Sequence, residues 1–173
     1  MKLFGVLIMS LVISGCQSMP DGVKPVDNFD LNRYLGTWYE IARLDHRFEK
    51  GMDNVSANYS LRDDGKLKVV NKGFKVAPQK WSSVTGKAYQ VEDGKGFLKV
   101  SFFGPFYGSY VVYELDQGNY EYAFVTGNTH DYLWLLARKP QVRDDIIKKF
   151  VEGAKDLGFE TDKLIYVNQD KNK

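Results

Sequence analysis

The chain has 173 residues, 43% of them hydrophobic and 27% charged, with a formal net charge of +2. Acidic and basic residues are interspersed and no Lys/Arg cluster stands out, which excludes the electrostatic footprint of a nucleic-acid binder. Its one cysteine, Cys16, excludes an internal disulfide.

Residues 1–15 read as an export signal: Lys2 gives a short positive start, Leu3 to Val12 is an apolar run too short to span a bilayer, and Ile13-Ser14-Gly15 precedes Cys16. This pattern resembles the bacterial lipoprotein signals, in which the Cys becomes the acylated first residue of the mature protein. The resemblance implies palmitate-type chains on Cys16, which anchor without spanning. Gln17 rather than Asp at the next position, by similarity to enterobacterial sorting signals, implies the outer membrane, with a periplasmic globular domain. Removing residues 1–15 from the 173 leaves 158, the size of one domain. Residues 16–35 carry Pro20, Gly22, Pro25, Asp27 and Asn28 with little apolar periodicity and are expected to be a tether.

From Gly36 to the end, the barrel unit at 36–173, strands recur about every ten residues, separated by turn signals. The first runs through Gly36-Thr37-Trp38-Tyr39-Glu40-Ile41-Ala42-Arg43. Further strands are expected over 54–61, 67–71, around 84–88, through 98–102, 109–115, 120–126 and 131–138. The connections alternate in character: short Asp/Gly turns at 63–66, 92–95 and 116–119 share one end, and longer loops at 45–52, 75–80, 104–108 and 127–130 share the other. The prediction is an all-β, eight-stranded, up-and-down antiparallel β-barrel with a trimmed base and an elaborated mouth, able to hold one small ligand. The later strands are apolar on both faces. After Pro140, the residues Ile146, Ile147, Phe150, Val151, Ala154 and Leu157 make a helical stripe, so one C-terminal α-helix, at about 141–157, is expected to pack outside them.

The set Gly36-x-Trp38, Asp131-Tyr132 and Arg138 before a helix resembles the lipocalin signature. Gly36 to Arg43 with residues 45–49, 60–65 and 101–108 is similar, more specifically, to the bacterial outer-membrane lipocalins. Trp38 begins the first strand and Arg138 ends the eighth, so both fall at the trimmed end of adjacent strands. A guanidinium stacked on the indole there would seal the base, a structural role for Gly36, Trp38 and Arg138.

Alternation turns Ala42, Val55, Ala57, Tyr59, Leu67, Val69, Val84, Gly86, Ala88, Leu98, Val100 and Phe102 inward, with Tyr132 and Trp134 added by parity with Arg138. Several are small, which leaves room for a slender apolar ligand. The resemblance implies a fatty acid or lysophospholipid, held for lipid storage, transport or envelope maintenance. At the mouth, Arg47, Lys75 and His130 are candidates to meet an anionic headgroup and Phe48, Phe106 and Tyr107 to guard access, against the alternative that each is an ordinary loop residue. Glu40 also points inward and requires either a wet mouth or a basic partner.

No paired carboxylates, nucleophile–base set, metal-ligand spacing or phosphate loop is present, and the histidines His46 and His130 lie in loops, so neither an enzyme nor a cofactor is expected. The alternative to lipid carriage is an envelope interaction module that uses the barrel as a rigid mount, through the 104–108 loop and the Tyr110 to Leu115 strand, including a homodimer.

Overall fold

The computed structural model describes residues 19–172; the expected export signal and Cys16 lie outside them. Alternating β-branched and aromatic residues form eight consecutive antiparallel strands: β1 Gly36–Leu44, β2 Met52–Leu61, β3 Leu67–Lys75, β4 Lys80–Gln90, β5 Phe97–Phe103, β6 Phe106–Leu115, β7 Tyr122–Thr126 and β8 Leu133–Ala137. Each pairs with the next, and β1 closes the cylinder by pairing with both β2 and β8. A short β9, Leu164–Tyr166, extends the sheet beside the upper part of β1.

The trimmed end is built as expected, on tight turns in which Gly65 and Gly94 take φ of +75° and +74°, a conformation open to glycine. Two of the loops expected to be long are tight as well. Lys75 pairs with Lys80 and Phe103 with Phe106, so β3–β4 and β5–β6 turn over four and two residues. The strands there run to the rim, and the length falls instead to residues 45–51 and 127–132.

A bulge between Glu40 and Ala42 on β1 changes the alternation. Trp38 and Glu40 point into the barrel, but Ile41 and Ala42 then both belong to the outer core, and Arg43 returns inward. Ala42 is therefore no part of the cavity, contrary to the reading by strict parity.

The helix α2 spans Asp144–Asp156, starting three residues later than expected because the chain bends over residues 138–140 and Arg143 is still extended. Its stripe of Ile147, Phe150, Val151 and Ala154 covers the outer faces of β6–β8 and β1, where Val111, Phe124, Leu133 and Leu135 are buried. The Phe150 and Phe124 rings meet edge to face at 5.1 Å. The expected partner patch on the strand from Tyr110 to Leu115 is accordingly closed: Val111 and Val112 are fully buried.

Residues 19–35 do not form a free tether. Val23, Phe29 and Tyr34 are buried, Val26 exchanges backbone hydrogen bonds with Val112 and Gly96 at 2.9 Å each, and Phe29 bridges Gly94. A single turn, α1 Leu31–Tyr34, is capped by Asp30, whose carboxylate accepts from the backbone N–H of Asn32 at 2.9 Å. This strap crosses the base of the barrel, where its apolar residues find cover that a solvated tether would not give.

Candidate functional site: the barrel cavity

The base is a stack. Trp38 is fully buried and its indole N–H donates to the Tyr34 carbonyl at 2.8 Å, while the Tyr34 ring lies 4.6 Å away, stacked. The Arg138 guanidinium sits 3.9 Å from the indole centroid and donates to the carbonyls of Thr37, Arg33 and Tyr120 at 3.1, 2.6 and 3.3 Å. Gly36 makes room for it: at φ +95°, a Cβ there would approach Arg138 Nη1 to 3.3 Å. The arginine thus bonds three elements that meet at the base and covers the tryptophan.

Above this stack the lower half of the barrel is solid. Leu67, Val69, Ala88, Leu98, Val112 and Leu115 fill it. The expected lining residues Val69, Ala88 and Leu98 point inward but lie in this plug and do not reach the cavity. A tyrosine layer forms the ceiling of the plug. The Tyr34 and Tyr110 hydroxyls are 2.7 Å apart, and the Tyr59 ring lies 5.6 and 6.0 Å from theirs. Burial raises the Tyr34 and Tyr110 hydroxyls well above their usual pKa, so the layer is uncharged.

The upper half holds a cavity of about 670 Å³, open at the mouth. Val55, Ala57, Tyr59, Val84, Val100, Phe102, Tyr132 and Trp134 of the expected set line it, as do Arg47, Phe48, Phe106 and Tyr107 at the rim. Gly86 does not: a Cβ there would collide with the Phe102 ring and the Ser101 carbonyl at 2.6 Å, so its missing side chain is the seat of Phe102. Lys75 ends β3 away from the lining. His130 is corrected outright, because it faces the outer helix: its Nε2 lies 3.0 Å from the Leu157 carbonyl and its ring 4.8 Å from Phe159.

Residues not foreseen at the site include Met52, Phe103, Tyr110 and Leu136, and a polar cluster along one wall. Arg43 Nη1 donates to Glu40 Oε1 at 2.7 Å and Nη2 to the carbonyls of Glu49 and Met52 at 3.1 Å each. Glu49 Oε2 lies 2.9 Å from His46 Nε2 and accepts from the Trp134 indole N–H at 3.2 Å. Burial, together with the nearby Glu49 charge, pushes the Glu40 carboxyl well above the usual carboxylate range in spite of Arg43. Glu49 is buried too, but hydrogen bonds and charge from His46 hold it below that range. Glu40 is thus the protonated member and Glu49 the ionised one. The cluster fastens residues 45–51 across one side of the mouth. Only Glu40 carried a signal in the sequence; the bulge that brings Arg43 beside it leaves none.

A profile described as "Lipocalin-like domain" matches residues 29–169. The chain belongs to the lipocalin family. It is 52% identical over 170 residues to the outer membrane lipoprotein Blc of Vibrio cholerae, covering 98% of this chain and 99% of that protein. It is 48% identical over 163 residues to the protein of the same name in Escherichia coli, covering 92% of each. Among solved structures, insecticyanin from the tobacco hornworm superposes with a TM-score of 0.69 at 22% identity, over 87% of this chain and 85% of that one. This last likeness speaks for the fold alone.

Proposed function

We propose that the protein is an acylated outer-membrane lipoprotein that carries one single-chain lipid, a fatty acid or a lysophospholipid, in its barrel. The observation that carries this reading is the cavity: about 670 Å³, open at one end, walled by Val55, Ala57, Val84, Val100, Phe102, Tyr132, Trp134 and Leu136. That size and lining suit a flexible apolar chain. The wall cluster sets the direction of entry. The Glu49 charge opposes a carboxylate or phosphate brought beside it, whereas Arg47 stands at the rim, so the tail goes in and the anionic head stays out. Relatives named outer membrane lipoproteins, along nearly the whole chain, support the location and the acylation of Cys16. The binding reading needs no chemistry from the cluster.

The test is a fluorescence titration with a fatty acid and a lysophospholipid of equal chain length. Trp134 lies in the cavity wall, Trp38 in the base, and Trp81 on the barrel wall, 39% exposed. A saturable change that survives Trp81→Phe and disappears in Trp134→Phe is expected, and the tighter lipid names the headgroup. A folded, lipid-free barrel that responds to neither would end the carrier reading.

A further inference from the structure

We infer that the open end of the barrel rests on the lipid surface to which the chain is anchored, so that the cavity opens directly onto the membrane. The inference rests on Cys16 being the acylated residue and adds an orientation to it.

The rim is greasy at its tips. Phe48, Val76, Phe103 and Phe106 are 50, 51, 65 and 79% exposed, and they come from three different connections at the same end, β1–β2, β3–β4 and β5–β6. At the base, the half-exposed Leu61 and Val91 stand singly, each followed by an acidic turn. Charge divides the same way. The rim carries Arg47, Lys50, Lys75 and Lys80 against the exposed Asp45 and Asp131, with the Arg47 guanidinium 4.8 Å from the Phe48 ring centroid, and its Glu49 is turned into the cavity wall. The base turns carry Asp63, Asp64, Glu92, Asp93, Asp116 and Glu121 against Arg62, Lys66 and Lys95. An anionic bilayer attracts the first end and repels the second.

The chain also starts on the correct side. Helix α2 begins six residues after Arg138 at the base and ends where the Leu157 carbonyl meets His130 in the β7–β8 connection. Gly22 lies against Leu157, and Met19 packs on the barrel–helix core. The helix is about 20 Å long at 1.5 Å per residue. The three residue steps from Met19 back to Cys16 reach at most about 10 Å. So short a link holds the open end near the bilayer and cannot lower the base onto it.

The test uses the acylated full chain in vesicles of phosphatidylethanolamine and phosphatidylglycerol, some with brominated acyl chains. Because Cys16 is the only native cysteine, one introduced cysteine takes a bimane label: Pro105→Cys at the open end or Asp64→Cys at the base. Bromolipid is expected to quench the label at 105 by about twofold or more, as for groups seated at the acyl boundary, and to leave that at 64 unchanged. Adding Lys50→Glu with Lys80→Glu, neither of which lines the cavity, is expected to weaken the quenching at 105. Quenching at 64, or at neither position, overturns the inference, and so does indifference to the charge reversal. Two dyes per chain would report a free Cys16 thiol, which removes the anchor and the inference with it. No carried lipid enters the measurement, so a failure of the carrier reading would not be mistaken for a failure of this one.

Discussion

Arg43 donates to Glu40 at 2.7 Å from the same strand, three residues away, although strict alternation would put the two on opposite faces of β1. The bulge between Glu40 and Ala42 makes the contact and brings the arginine within reach of the Glu49 and Met52 carbonyls. Arg43→Met should cost about 3–5 kcal/mol in urea unfolding, because it leaves the buried Glu40 carboxyl and the Glu49 and Met52 carbonyls without their donor. A loss under 1 kcal/mol would mean the cluster is solvated and the cost misjudged.

The same cluster predicts a pH dependence with a definite sign. Glu40 has its folded pKa raised, so the stability it contributes is present below the unfolded carboxyl pKa and is lost as pH rises through the folded value. Glu49 is lowered, and its contribution is lost as pH falls. Glu40→Gln keeps a donor and an acceptor but cannot ionise. Relative to the parent, this variant should gain stability as the pH is raised from 5 to 8, read as a shift in urea midpoint. A difference that stays constant with pH would show that Glu40 does not carry the proton.

Ala57 and Ala88 separate cavity from plug. Ala57 faces the cavity, so Ala57→Phe should lower lipid affinity at least tenfold, about 1.4 kcal/mol, with little change in stability. Ala88 is 1% exposed within the solid lower half, so Ala88→Phe should cost about 1–3 kcal/mol of stability by overpacking. Titration and denaturation of both variants check the division, and a lipid-specific loss at Ala88 would move the cavity floor downward.

Arg138→Met should destabilise by about 2–4 kcal/mol, from a lost cation–π contact and three unanswered carbonyls. Its lipid affinity should match that of the parent, since the stack lies beneath the plug. His130→Ala should likewise leave lipid affinity unchanged, its partners being Leu157 and Phe159 outside the barrel.

What was legible in the sequence followed from periodicity and turn chemistry. Turns of Asp and Gly mark the base, parity carries Tyr132 and Trp134 to the wall, and the order of strands alone places Trp38 beside Arg138. What was not legible has four physical sources. A bulge has no sequence signature of its own, and it moved Ala42 out and Arg43 in. Alternation tells inward from outward but not high from low, so Val69, Ala88 and Leu98 were assigned to a cavity that ends above them. A glycine can mark an empty place or one filled by a neighbour, and at Gly86 the neighbour is Phe102. The apolar residues of the strap, Val23, Phe29 and Tyr34, are too irregularly spaced for any period to find them.

That strap has a consequence for how the chain matures. Its partners are Gly94, Gly96, Val112, Gln117, Gly118 and Tyr120, 65 to 90 residues downstream. None of these is in place until β5 and β6 have paired, so contacts of such long sequence separation form late. The segment that leaves the translocation pore first is therefore among the last to dock. Under the proposed acylation of Cys16, it stays undocked and open to processing while the rest of the polypeptide is delivered, and its docking then draws the finished barrel toward the attachment point.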